Sequence, residues 1–228
     1  LVVGFQLGAS AAARQWPVEH FAQAANRTWQ DVGAAAVLVG TGAEKPLAAR
    51  FGQLCQGPWL DLVGATNLPL LAAVAAEMRL LVTNDTGTLH LAAGLGVPSV
   101  AIFLATAQPF DTGPYLTGCL CLEPDLPCHP CPFGAPCPHE HACRTAITPQ
   151  TVADAAVTFC RTGQFMPGGY PGARAWLSGF DDAGFMDLSS LSGHDSEARA
   201  IWLRCQRHVL RQFLDDVPFT PAVVGAAP

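Results

Sequence analysis

Along the first hundred positions, apolar runs and polar breaks follow one another in an order that predicts strands and helices in turn. Val2-Val3-Gly4-Phe5 opens a buried strand over residues 2–7, which ends at Gly8-Ala9-Ser10. Pro17 suits a first helical position, and Val18, Phe21, Ala22, Ala25 and Trp29 then recur at helical spacing. Residues 34–39 are continuously apolar, as in a parallel strand covered on both faces. They lead into Gly40-Thr41-Gly42-Ala43-Glu44 and a helix to about residue 54. A short strand over 59–63, the turn Gly64-Ala65-Thr66-Asn67 and a helix over 68–78 come next. Residues 80–83 and 99–104 supply the fourth and fifth strands. Strands alternating with helices imply right-handed βαβ units and a doubly wound α/β fold. Ligands of such sheets lie beyond the carboxyl ends of the strands. The polar loops at 10–14, 40–44, 66–67 and 84–88 should therefore line one crevice.

The fourth strand carries the sharpest signal. Leu80-Leu81-Val82 gives way abruptly to Thr83-Asn84-Asp85-Thr86-Gly87-Thr88, followed by Leu89, Leu91, Ala92 and Ala93. Asn84, Asp85 and Thr86 all suit a helix N-cap, and Gly87 lets the backbone approach a partner closely. A strand running straight into a helix N-terminus presents free N–H groups and a positive dipole end, the ordinary setting for a phosphate.

Composition narrows the class. Half of the 228 residues are hydrophobic, 13% are charged and the net charge is -6. This is a core-rich chain that can bury a full domain. Lys45 is the only lysine and no basic stripe exists, so a nucleic-acid partner is not expected. The long apolar run over 91–107 is interrupted by Gly94, Gly96 and Pro98, so it reads as helix, turn and strand, not as a membrane span. No signal peptide is expected, and the opening directly on a strand reads as a fragment or as the second half of something larger. No internal repeat is visible.

Beyond residue 106 the pattern changes. A loop with Pro109 and Pro114 precedes a cysteine-rich segment over 119–143, read as a loop. Cys128-x2-Cys131-x5-Cys137-x5-Cys143 admits a structural zinc site with His129, His139 or His141 as spare ligands, a set of disulfides, or reduced cysteines packed locally. Thr148-Pro149 starts a helix with Val152, Ala155, Ala156 and Phe159 facing inward. Residues 163–193 are rich in Gly, Pro and Ser and read as a linker or wandering surface segment. A last amphipathic helix over 195–215 places Ala198, Ile201, Trp202, Cys205, Val209 and Phe213 on one stripe, read as core packing, with a surface that is exposed or pairs with another chain as the alternative. The expected division is a Rossmann-like domain over 1–162 and a linker with a helical tail over 163–228.

Asn84-Asp85-Thr86-Gly87-Thr88-Leu89-His90-Leu91-Ala92-Ala93, then Gly96-Val97-Pro98, Phe103 and Gly113-Pro114-Tyr115, resembles the ADP-heptose:lipopolysaccharide heptosyltransferases, glycosyltransferase family 9. Gly8-Ala9-Ser10 with Arg14-Gln15-Trp16-Pro17, the turn over 39–44, and Cys128-His129-Pro130-Cys131 with Cys137, Cys143 and Ile147-Thr148-Pro149 agree in order. The likeness covers roughly residues 1–160; the family's lysine is Arg14 here, and the tail after Gly163 has no counterpart.

The resemblance implies the C-terminal half of a GT-B fold, a Rossmann-like parallel sheet with helices on both faces that binds the nucleotide sugar. It also implies inverting transfer of a heptose from an ADP-sugar to a lipopolysaccharide-core acceptor. The acceptor-binding N-terminal half, with its catalytic carboxylate base, would be a separate partner domain, so no residue of this chain is assigned catalysis. The enzyme would be cytoplasmic, peripheral at the inner membrane. Asp85, Thr86, Gly87, Thr88 and His90 would hold the diphosphate and sugar; Asp85 as a mere N-cap and His90 as a satisfied core histidine is the bland alternative. Arg14 would neutralise the leaving diphosphate, unless it is only a solvated arginine. Glu44 would bind ribose hydroxyls, or merely favour a helix dipole. No cofactor is required beyond the ADP-sugar donor. The alternatives for the whole are a non-catalytic nucleotide-binding module, and a dehydrogenase domain, which lacks the Gly-x-Gly-x-x-Gly expected after its first strand.

Overall fold

The structure, a computed structural model, describes residues 1–182 and 184–216. Its strands are β1 (Val2–Gln6), β2 (Ala35–Val39), β3 (Trp59–Asp61), β4 (Leu80–Asn84), β5 (Ser99–Ile102), β6 (Leu120–Pro124), β7 (Ala173–Phe180) and β8 (Met186–Ser190). The α-helices are α1 (Val18–Val32), α2 (Lys45–Leu54), α3 (Leu68–Ala76), α4 (Gly87–Gly94), α5 (Pro109–Thr112), α6 (Cys143–Ala146), α7 (Pro149–Thr162) and α8 (Ala198–Leu214). All eight strands form one sheet in the order β3-β2-β1-β4-β5-β6-β7-β8. The first six run parallel, and β7 and β8 are antiparallel additions. The order 3-2-1-4-5-6 is that of a doubly wound dinucleotide-binding sheet, so the α/β expectation holds.

The sheet is covered on both faces because its central strands are apolar on both. Val3 and Phe5 of β1 and Leu80 and Val82 of β4 pack into the larger core with Phe21 of α1, Phe51 of α2 and Phe159 of α7. Leu81, between Leu80 and Val82, points the other way with Ala75 of α3 and Ala92 of α4. This is the period-two alternation of a strand, both halves of it buried. Helix starts follow local chemistry. The Asn67 side chain accepts from Leu70 N–H at the head of α3, and the Thr148 hydroxyl caps α7 just before Pro149. Pro17 stands one place before its expected position, as the N-cap of α1.

Three expectations need correction. The start of the cysteine-rich segment is not loop: β6 is fully buried, with Cys119 and Cys121 at 0% exposure. Unpaired cysteine behaves there as a small hydrophobe, and Cys-Leu-Cys-Leu makes a central strand. The segment over 163–193 is not a linker. It contains β7 and β8, and Ala173, Ala175, Trp176 and Leu188 are buried. The stripe of α8 is not core: Trp202 and Phe213 are 62% and 71% exposed, and Ile201 and Val209 are also exposed. The chain divides into two compact units, Leu1–Ser192 and Gly193–Pro228, and α8 lies in the second. Among the described residues no helix is long and apolar enough to cross a membrane.

Candidate functional site

The chain leaves β1 toward β2 and β3, whereas β4 to β6 extend the sheet the other way. Between the carboxyl ends of β1 and β4 lies the point where connections diverge and a crevice opens. Two buried polar residues frame it, Gln6 and Asn84. The Asn84 Oδ1 accepts from Trp16 N–H at 2.9 Å, and its Nδ2 donates to the carbonyls of Leu7 and Gly8 at 3.0 and 2.8 Å. One amide thus pins the loop after β1 to the end of β4. Trp16, wholly buried, adds Nε1–H to the Ile147 carbonyl at 2.9 Å.

Gln6 serves the opposite wall. Its Nε2 donates to Glu44 Oε1 at 2.6 Å, and its Oε1 accepts from the Thr83 and Thr86 hydroxyls. Glu44 Oε2 accepts Thr41 N–H at 2.6 Å, the reciprocal half of a capping box. A Cβ at Gly8 would stand 1.6 Å from Glu44 Oε1, and one at Gly40 2.1 Å from Oε2. Only glycine lets both loops close on this carboxylate. Each Glu44 oxygen still has a lone pair for another donor.

Thr86 is the N-cap of α4, and no described side chain caps that helix. A Cβ on Gly87 would meet open space, so the first turn faces an empty volume with its dipole end. Asp85 N–H bonds the Ile102 carbonyl, and its Oδ2 accepts the Thr112 hydroxyl at 3.0 Å. Burial pushes the Asp85 carboxyl above the usual carboxylate range, opposed by the Thr112 bond and by the charges of Arg14 and His90. Arg14 donates through Nε and Nη2 to Thr106 Oγ1 at 2.8 and 2.6 Å, and lies 5.8 Å from the Phe133 ring centre.

These loops enclose a cleft of about 850 Å³, within the range for nucleotide-sized ligands. Ser10, Glu44, Asp85, Thr86, Gly87 and Thr88 contribute to its wall, and Leu68, Leu71 and Leu91 supply an apolar end. All four polar loops expected at one edge do meet there. His90 is exposed; it and Arg14 do not line the cleft but reach Asp85 electrostatically. A hollow of about 390 Å³ beside Thr148, Asp154 and Tyr170 contains none of these residues.

Sequence reading missed Gln6, Thr106 and Thr112. Gln6 had a signal, a polar residue inside an apolar strand; the two threonines had none, because their partners lie 92 and 27 positions away. The nine cysteines, Cys128, Cys131, Cys137 and Cys143 included, are free thiols. Burial, then the charges of the other three, raise Cys131. Cys143 is raised by burial, relieved by an Ala105 hydrogen bond, and raised again by Cys137 and Cys128. The four sulfurs therefore share one neighbourhood. Among the described residues, however, no three His, Cys, Asp or Glu side chains are grouped to hold a metal ion.

Comparison with known proteins gives a consistent answer. Lipopolysaccharide heptosyltransferase 1 of Pseudomonas aeruginosa is 32% identical over 131 residues, covering 56% of this chain and 35% of that protein. Lipooligosaccharide heptosyltransferase 2 of Campylobacter jejuni is 30% identical over 162 residues, 68% of this chain and 50% of that protein. The chain thus spans a third to a half of the length of these relatives. The solved structure of E. coli ADP-heptose LPS heptosyltransferase II superposes with a TM-score of 0.57 at 26% identity, covering 71% of this chain and 47% of that one. The profile of glycosyltransferase family 9 (heptosyltransferase) matches residues 1–142, which hold β1 to β6 and every cleft residue named above. The chain belongs to glycosyltransferase family 9.

Proposed function

We propose that this chain is the donor-binding half of a two-domain, GT-B-type heptosyltransferase that works at the cytoplasmic side of a bacterial inner membrane. The observation that carries the reading is the cleft at the β1/β4 divergence, with the uncapped α4 N-terminus opposite Glu44 and an apolar end at Leu68, Leu71 and Leu91. The base would lie against the leucines. Ribose hydroxyls would donate to the remaining lone pairs of Glu44, whose position Gln6 and Thr41 fix. The N–H groups of the α4 first turn would take phosphate oxygens. Arg14, with His90, would offset the charge that builds on the departing diphosphate. Asp85 would accept hydroxyls of the sugar. The base that deprotonates a lipopolysaccharide-core acceptor would come from the other half, so this chain alone should bind donor and transfer nothing.

Calorimetric titration of ADP, UDP and NAD tests this. ADP should bind preferentially, and Asp85→Ala and Arg14→Ala should each weaken binding of the ADP-sugar about tenfold, the loss of one charge-assisted contact. Equal binding of all three nucleotides, or unchanged affinity in both variants, would refute the assignment. A structural zinc across Cys128, Cys131, Cys137 and Cys143 is the finer proposal for the cysteine segment, supported by four thiols that would lose their protons to a metal and by the shared neighbourhood of the sulfurs.

A further inference from the structure

The site hangs on a loop, residues 105–112, whose outer contacts are Thr106 on Arg14 and Thr112 on Asp85. Its buried side meets something unexpected in a core. Glu123 of β6 is 0% exposed; its Oε1 accepts the Trp176 indole N–H at 3.0 Å, and its Oε2 stands 3.5 Å from His129 Nδ1. The His129 ring is fully buried, and its Nε2 lies 3.1 Å from the Ala107 carbonyl. A carbonyl only accepts, so Nε2 carries a proton there. The Trp176 ring, held by the same carboxylate, packs edge-on against Phe110 with centroids 5.0 Å apart. One glutamate therefore reaches the loop by two arms, through His129 to Ala107 and through Trp176 to Phe110. The loop also begins at Ala105 in the left-handed region, φ 55°. A residue with a side chain stays there only when its surroundings hold it. Its carbonyl accepts Cys131 N–H at 2.8 Å, two residues beyond His129.

An ionisable pair in a core is costly, and apolar residues of the same volume would pack at least as well. What the pair provides is direction, since a 3.5 Å contact between carboxylate and ring, with the Trp176–Glu123 and His129–Ala107 hydrogen bonds on either side, fixes a loop at defined atoms where hydrophobic contact does not. We propose that Glu123 and His129 are positioning residues: by bracing residues 105–112 from the buried side, they set Thr106 and Thr112 where these hold Arg14 and Asp85. The inference rests on the reading of that cleft as a diphosphate-sugar site, and the loop can be followed independently of any ligand.

Amide hydrogen exchange and ADP calorimetry would be measured on the parent chain and on Glu123→Gln, His129→Leu and His129→Gln. Exchange over residues 105–112 should rise about tenfold or more in the first two, with β1 and β4 unaffected, and ADP affinity should fall about tenfold. His129→Gln retains a donor near Nε2 and should recover most of both. In a Thr106→Val/Thr112→Val background, Glu123→Gln should weaken ADP no further, because the path to the site is already cut. Should Glu123→Gln not fold, Trp176→Phe keeps the ring, removes one arm and should loosen the same loop. Unchanged exchange over 105–112, a rise spread evenly over the sheet, or additive losses in the combined variant would each overturn the proposal. Failure of the parent to bind ADP would instead overturn the reading of the cleft, and the exchange results would then decide the brace alone.

Discussion

Asp85 shows how one carboxylate is set against its own fold. Burial raises it, and the Thr112 hydrogen bond, Arg14 and His90 only partly offset this. A carboxyl raised in the folded state contributes stability that is complete below its unfolded value and is lost as pH rises through the folded one. At neutral pH the charge is therefore a cost, of the kind tolerated where a group serves a ligand. Asp85→Asn should melt higher than the parent at pH 7, and the gap should close toward pH values below about 4, where the unfolded carboxyl is also protonated. Thermal scans from pH 3 to 8 would show it; an equal gap at every pH would remove the explanation. The polarity switch at Asp85-Thr86-Gly87 was legible because local sequence alone creates a strand end and a helix start. Asn84 looked like a third N-cap, and only the tertiary fold turned its amide inward. Asn84→Ala would leave Trp16 N–H and two carbonyls without their partner, a loss of about 3 kcal/mol in urea denaturation. Glu44 closes a capping box and also lines the cleft with the same carboxylate.

Elements were readable in proportion to how local their cause was. The βαβ half of the sheet announced itself through continuous apolar runs and capped helix starts. Cys119 and Cys121 fell in a stretch that reads as a loop, and their burial beside β5 came from pairing that spacing cannot reveal. β7 and β8 were hidden by Gly and Ser and by alternation too irregular to stand out, as in Ala173-Arg174-Ala175-Trp176-Leu177-Ser178-Gly179. β8 is short and polar, which protects a sheet edge from further pairing. Cys128, Cys131, Cys137 and Cys143 sit in a segment without long regular structure, where a cross-link would do what a core does elsewhere. Metal analysis of purified protein should return about one zinc per chain if the four thiols close on an ion, with chelation raising hydrogen exchange over residues 128–143. Under about 0.2 equivalents would end that reading and leave four reduced thiols.

At the scale of the whole molecule, family resemblance and compactness draw different boundaries. The family profile ends at residue 142, while the compact unit continues to Ser192. The extra stretch is part of the fold. Trp176 is fully buried, bonds Glu123 in the next strand and packs on Phe110; Ala173 to Leu177 of β7 pair with the whole of β6. A chain cut after Thr162 would expose β6, a fully buried strand, as a bare sheet edge, and would strand Glu123 in a core with its indole partner gone. Losing a buried aromatic alone costs about 3–5 kcal/mol, a large share of the stability of a typical domain. A chain cut after Ser192 removes α8, whose large apolar residues are mostly exposed, and keeps all eight strands. The 1–192 chain should therefore unfold in one cooperative step and bind ADP within about twofold of the parent. The 1–162 chain should aggregate or unfold without a transition and bind nothing. Cooperative unfolding of the shorter chain would mean that β7 and β8 are ornaments, and that the site is built and braced by residues 1–162 alone.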